Sequence, residues 1–267
     1  MNLLSITDLD EQQIESLFAL AGSLKNSGET PLKGRTFVLF FPETSIRTRV
    51  TFEMAVKQLG GEAVLFPPSS LDKREEIKDV AGYLENWCDG IIVRHPDFNL
   101  MQKLGSCCSL PVINGMSRDN HPCEILSDLY TLRERKENYR DLNYLFVGAE
   151  GNIYNSWKNA ASVLNLTLKG ICPPDNLEAA LREADVVLTD PLPEKHRNQE
   201  YYKNYQITLK RMKKAKPGAL LNPCPPFYRG EEVSEDVIDS SFFAGYGFKK
   251  NLLTLQKAVL LYCVNTP

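Results

Sequence analysis

The chain is punctuated by runs of three to six residues that are apolar almost without interruption, and these runs limit what it can fold into more than any other feature. Thr36–Phe41 (TFVLFF), set between Gly34 and Pro42, is the clearest. Such a run is too short for a stable helix and lacks the alternation of a strand with one wet face. It reads as a strand buried on both sides of a parallel sheet. Ala63–Phe66, Gly90–Arg94 (GIIVR), Val112–Asn114, Leu142–Val147, Leu166–Ile171, Val186–Thr189 and Ala219–Leu221 read the same way. Between them the period becomes helical. Ile14, Leu17, Phe18, Ala21 and Leu24 recur at helical spacing behind a cap at Thr7 or Asp8, and Phe52, Val56 and Leu59 line a helix from Ser45 that stops at Gly60 and Gly61. Further helices are predicted over 75–87, 122–136, 155–164, 177–184 and 252–264.

Strands alternating with helices predict an α/β fold with parallel sheets. The helix Pro122–Lys136 and the polar stretch Glu137–Asp141 interrupt that alternation, and a fresh series starts at Leu142. The sequence therefore predicts two parallel-sheet α/β domains joined by helices, residues 1–136 and 137–250. A C-terminal helix within 251–267, apolar enough to pack against both, is expected to return to the first.

Lys and Arg number 31 against 34 Asp and Glu, a net charge of −3, which excludes a nucleic-acid binder run by bulk charge. No apolar run reaches the roughly 18 residues of a membrane span, and the segment from Thr7 onward reads as folded helix rather than a leader. The seven cysteines form no CxxC pair, and the three histidines give no zinc spacing. A soluble cytoplasmic protein without metal or cofactor is expected. Adjacent Cys107 and Cys108 read as small apolar residues near a loop, and the basic run Leu209–Lys216 as the solvated face of a helix.

Ligands of parallel sheets bind beyond the carboxyl ends of the strands. After the first strand, Pro42–Arg49 opens directly into a helix, where unpaired N–H groups, the hydroxyls of Ser45 and Thr48 and the fork of Arg47 form an anion site without a glycine-rich loop. Alone, this S-x-R-T segment reads as an N-cap serine with solvent-facing arginines. Arg94 at the exit of GIIVR, and His121-Pro122 opening the next long helix with Glu124 behind it, change the balance by converging on one crevice.

Five segments in order, Ser45–Glu53, Lys73–Asp79, Ile92–Arg94, His121–Leu129 and Asn222–Pro226 with Arg229–Val233 behind it, resemble the aspartate/ornithine carbamoyltransferase family over nearly the whole chain. The resemblance implies an enzyme of amino-acid metabolism, of the kind used in arginine biosynthesis, that binds carbamoyl phosphate and a small amine. Ser45, Arg47, Thr48 and the backbone N–H of Ile46 are then expected on the phosphate. Thr48, Arg94 and His121 would face the carbamoyl oxygen, with Glu124 and the carbonyls near Pro223 and Cys224 on the carbamoyl NH2. The resemblance further implies a homotrimer with shared active sites, in which the loop Ser69 to Lys73 reaches a neighbouring subunit and Lys73 becomes a phosphate ligand there.

Several positions depart from the family pattern. Ile46 replaces a usual threonine, Glu124 the usual glutamine, Asn222 stands where a histidine is common, and Leu252 stands where ornithine enzymes carry an arginine. Asn152 and Asp190 match the ornithine-type acceptor site, and no arginine of the aspartate type is present there. The Ser-Met-Gly sequence that completes the ornithine site is replaced by Pro191–Lys195, leaving Lys195, His196 or Arg197 to reach an α-carboxylate. Ornithine or a related diamine is the expected acceptor, with carbamoylation of aspartate as an alternative. A catalytically silent homologue is a second reading, supported by Glu124 and Leu252 and opposed by the intact Ser45, Arg47, Thr48, Arg94 and His121. A nicotinamide dehydrogenase is a third, but the G-x-G-x-x-G fingerprint is absent at Gly148–Gly151 and no acidic residue ends Leu166–Ile171.

Overall fold

A computed structural model of the chain describes residues 1–173 and 175–266. The fold divides into two compact units: Met1–Thr131 together with the segment from Lys249 onward, and Leu132–Phe248.

In the first unit, helix α1 (Glu11–Leu24) starts from Asp10, whose carboxylate accepts from the Gln13 N–H while the Gln13 side chain accepts from the Asp10 N–H. The cap is therefore neither Thr7 nor Asp8. Asp8 closes a capping box with Ser5 around a separate 3-10 turn, Ile6–Asp8, and so is committed to the turn before. Strand β1 (Thr36–Phe40), helix α2 (Ile46–Gln58), strand β2 (Glu62–Phe66), helix α3 (Ile77–Leu84), strand β3 (Gly90–Arg94), helix α4 (Phe98–Cys107), strand β4 (Val112–Met116) and helix α5 (Pro122–Arg135) follow. Helix α4, capped by the Asp97 side chain, buries Met101 and Leu104 and was not among the predicted elements. The strands form one parallel sheet in the order β2-β1-β3-β4. As expected of a centre, β1 and β3 are buried almost throughout, whereas β2 is an edge strand that leaves Glu62, Val64 and Phe66 exposed.

The β3–β4 register contains one irregularity. Val93 pairs with Asn114 but Arg94 pairs with Met116, so Gly115 is an extra residue on β4, opposite the step from Val93 to Arg94. Only glycine fits there as packed, because a Cβ on Gly115 would lie 2.7 Å from Cζ of Phe41.

The second unit repeats the pattern with β5 (Asn143–Val147), α6 (Asn152–Leu164), β6 (Thr167–Ile171), α7 (Leu177–Leu181), β7 (Val186–Thr189), α8 (Gln199–Tyr205), α9 (Leu209–Met212), β8 (Leu220–Pro223) and α10 (Glu235–Ile238). Its parallel sheet has the order β6-β5-β7-β8. Leu145, Val187 and Leu221 on the sheet pack with Leu181, Ile207 and Val237 into its core. Half of the basic run Leu209–Lys216 is helix, the four residues of α9, and Lys213 and Lys214 turn away from it. The final helix α11 (Asn251–Asn265) belongs to the first unit, where it packs on α1 and α2 and buries Leu255, Val259 and Leu260 completely. No helix among the described residues is long and apolar enough to cross a membrane.

Candidate active site

The first turn of α2 is built as an open end. The first helical bond runs from the Arg49 N–H to the Ser45 carbonyl, so the amides before it are those a helix leaves without an intrahelical partner. The Ile46 N–H donates instead to the Thr44 carbonyl at 3.0 Å, and the Ile46 side chain is exposed. Ser45 occupies the N-cap position but does not cap with its side chain. It is buried, and its Oγ accepts from Arg94 Nη1 at 2.9 Å. The hydroxyl that would have satisfied the helix thus ties it to the exit of β3, and the amide end is left to attract an anion. Thr48 is buried one turn in, while Arg47 is exposed at the mouth.

His121 closes the other side. A turn in which the Ser117 N–H donates to the Asn120 carbonyl and the Asn120 N–H to Ser117 Oγ delivers it to the start of α5. His121 is only 5% exposed, and burial, with Arg94 and Lys249 adding to it against the opposing pull of Glu124, pushes its pKa down to about 4. The imidazole is therefore neutral near pH 7. Glu124, one turn into α5, is also buried. Burial alone would raise its pKa, but Lys249, His121 and Arg47 together hold the carboxyl below the ordinary value. Lys249 Nζ lies 2.6 Å from Glu124 Oε1 and 2.6 and 2.8 Å from the two oxygens of Asp128.

Lys73 is exposed on the loop that follows a 3-10 turn, Pro68–Leu71. Its neighbour Asp72 accepts from His95 Nε2 at 2.9 Å; the Asp97 N–H donates to His95 Nδ1 at 3.1 Å, which fixes the proton of the neutral ring on Nε2. The loop carrying Lys73 is thereby held beside the residue that follows Arg94.

In the second unit, α6 begins at Asn152 after Gly151, and Asp190 follows β7. The two come together: an Oδ2 of Asp190 lies 4.0 Å from where a Cβ on Gly151 would sit. Asn152 and Asp190 are half-buried. Pro223 and Cys224 end β8, with the Cys224 N–H donating to the Thr189 carbonyl at 2.9 Å, which sets that strand end against the residue before Asp190. Of the three residues proposed to replace the missing segment, His196 stacks on Tyr201 and Arg197 donates to the Leu192 carbonyl and pairs with Glu231 at 3.4 Å. Lys195 is exposed.

One unit thus gathers Ser45, Arg47, Thr48, Arg94 and His121 about the open end of α2 and the exit of β3, and the other sets a carboxylate beside a helix start. Two family models match in the corresponding order: the carbamoyl-phosphate-binding domain of aspartate/ornithine carbamoyltransferases over residues 1–134, and the Asp/Orn-binding domain over residues 174–263. The chain belongs to the aspartate/ornithine carbamoyltransferase family. Among its relatives, the ornithine carbamoyltransferase of Syntrophotalea carbinolica is 33% identical over 97% of both chains. That of Syntrophus aciditrophicus is 34% identical over 97% of this chain and 98% of its own. Among solved structures, the ornithine carbamoyltransferase of Burkholderia thailandensis has a TM-score of 0.91 at 27% identity, covering 99% of this chain and 98% of its own. The Thermus thermophilus enzyme gives 0.90 at 28%, covering 99% of each chain.

Within this carbamoyltransferase chain, sequence reasoning missed Lys249. Its partners lie more than 120 positions away on another helix, and the only available signal was the basic pair Lys249-Lys250 preceding an apolar helix. It also missed the diversion of Ser45 from capping to Arg94.

Proposed function

We propose that the protein transfers the carbamoyl group of carbamoyl phosphate to the side-chain amine of ornithine, releasing a ureido product and phosphate. The observation that carries this reading is the Ser45–Arg94 contact at the open end of α2. It puts a guanidinium from β3 and the first-turn amides of Arg47 and Thr48 around one point, next to a neutral His121. In this reading Ser45, Arg47 and the α2 amides hold the phosphate, with Lys73 of a neighbouring copy added. Thr48, Arg94 and the N–H of His121 donate to the carbamoyl oxygen as the amine adds and negative charge collects there. The tetrahedral intermediate collapses with loss of phosphate, which is basic enough to take the amine proton. A neutral His121 suits this role, since it stabilises the oxyanion by a hydrogen bond and gives up no proton. Glu124, Pro223 and Cys224 accept from the carbamoyl NH2, and Asn152 and Asp190 hold the amino-acid end of ornithine.

The names of the relatives support ornithine as acceptor, as does the carboxylate of Asp190 where an aspartate-binding site needs cations. A homotrimer is supported by an exposed apolar stripe on α2, Ile46, Val50 and Met54, with Val64 and Phe66 exposed on the neighbouring edge strand. Free thiols at all seven cysteines accord with a reducing cytoplasm. The test is to supply carbamoyl phosphate with ornithine, aspartate, putrescine, lysine or an acylated ornithine and to measure ureido product. Ornithine is expected to react fastest; faster carbamoylation of aspartate overturns the acceptor assignment. Light scattering that gives a monomer removes the shared site.

A further inference from the structure

A glutamate at position 124 adds a buried negative charge close to where a phosphate dianion is to bind, and the family's usual glutamine adds none. The chain also lacks the family's arginine at position 252, where buried Leu252 stands. Glu124 belongs to one cluster of the first unit. Lys249, just ahead of α11, inserts its ammonium between Glu124 and Asp128, which lie one turn apart on α5. Asp128 is only 2% exposed and accepts from Nζ with both oxygens, at 2.6 and 2.8 Å, and Glu124 forms an ion pair with the same ammonium, its Oε1 2.6 Å away. Lys249 is therefore anchored by its hydrogen bonds to Asp128 and brought against Glu124. Arg47 of the anion site also helps to hold the Glu124 carboxyl below its ordinary value.

Resting on the functional reading above, we propose that Lys249 is a positioning residue for carbamoyl phosphate. It offsets the charge of Glu124 and fixes that carboxylate so that Oε2 accepts from the carbamoyl NH2. The ammonium is shared with Asp128, so the three side chains together carry a single negative charge. A lysine that merely tied the C-terminal segment to α5 would serve Asp128 alone, and the two roles make different predictions.

The experiment titrates the full-length protein with phosphonoacetamide, an analogue that keeps the carbamoyl NH2, and with inorganic phosphate, which lacks it, while steady-state kinetics give KM and kcat. Lys249→Met is expected to weaken phosphonoacetamide and raise the carbamoyl phosphate KM by about tenfold or more, because it leaves Glu124 buried and unpaired. Adding Glu124→Gln to Lys249→Met is expected to bring both back to within about threefold of the wild type, which the loss of a purely structural tie would not allow. Rescue by Asp128→Asn in place of Glu124→Gln overturns the proposal, as does a Lys249→Met protein that binds like the wild type. Should Lys249→Met fail to fold, the nearly isosteric Glu124→Gln decides alone. With Lys249 still held by Asp128, the site gains one positive charge, and inorganic phosphate is expected to bind about threefold tighter or more; unchanged or weaker binding overturns the proposal. A wild-type protein that binds neither probe fails the functional reading and this proposal together. One that binds both and turns over, with Lys249→Met indistinguishable from it, fails the proposal only.

Discussion

In the first unit the strand next to the centre, β3, ends in Arg94; in the second, the strand at the same place in the same order, β7, is followed by Asp190. The loops after the leading strands differ in the same sense. The one after β1 carries Ser45, Arg47 and Thr48 into α2, and the one after β5 carries Glu150, Gly151 and Asn152 into α6. Two sheets of one topology therefore present opposite charge at equivalent positions. Topology fixes where a ligand sits, at the carboxyl ends of parallel strands. The charge of a few side chains at those ends decides whether it is a phosphate or an amine.

The comparison breaks most visibly if the donors of the first unit are dispensable. His121→Ala is expected to lower turnover by about 10²–10³-fold with little change in phosphonoacetamide affinity, because its N–H serves the charge of the transition state. Turnover near that of the wild type would reduce His121 to a helix-start residue. Arg47→Ala, measured by calorimetry, is expected to weaken carbamoyl phosphate or its phosphonate analogue by roughly 1.5–3 kcal/mol, the scale of a charge-assisted hydrogen bond. Equal affinities would remove Arg47 from the anion site. Asp190→Asn sharpens the contrast from the other side: the ornithine KM is expected to rise about tenfold or more while the affinity for the analogue stays unchanged. A parallel loss of both would mean that Asp190 supports the fold rather than the acceptor.

The smallest effect separates the units by pH. Burial pushes the Glu232 carboxyl up to about 7, against the Tyr228 N–H that donates to it at 2.7 Å. The folded state then holds a proton that the unfolded state releases near pH 4.5, so stability falls as pH rises through 7. Between pH 6 and 8 this costs about 1.4 kcal/mol for a folded-state pKa of 7, and Glu232→Gln should abolish that part of the slope in denaturant titrations. His121 acts in the opposite sense. Its folded-state pKa lies near 4 against an unfolded value of 6.5, so its contribution is lost as pH falls between those values. A variant Glu232→Gln protein whose stability still declines over pH 6–8 as the wild type's does would place the titration elsewhere.

The strands were legible because each is a short apolar run whose burial needs no knowledge of its partner; β1, β3, β5 and β7 lie within a residue of where hydrophobicity alone sets them. Caps were harder. Ser5, Thr7, Asp8 and Asp10 are all competent caps, and only the backbone decides that Asp8 belongs to the 3-10 turn and Asp10 to α1. Helix α4 carried readable signals, an Asp97 cap with Met101 and Leu104 at helical spacing, but its apolar stripe is too narrow to stand out between two strands. At the site, residue types were visible and relations were not. Arg94 and Ser45 lie 49 positions apart, and nothing in either segment says that the arginine takes the hydroxyl. The Gly115 irregularity between β3 and β4 is likewise a property of the pairing and not of either strand.

The return of α11 also bears on the order in which the chain becomes structured. The second unit is a single stretch, so all of its contacts are available once residue 248 has emerged from a ribosome. The first unit is split around it. Its core is completed only by a helix more than 100 positions downstream, and Lys257 reaches back to donate to the Leu24 carbonyl across 233 positions. During vectorial synthesis the anion site must therefore wait, its α1 and α2 surfaces uncovered, for the last helix to be made. The unit that begins first is the one completed last, and until then its uncovered apolar faces are of the kind that favours aggregation.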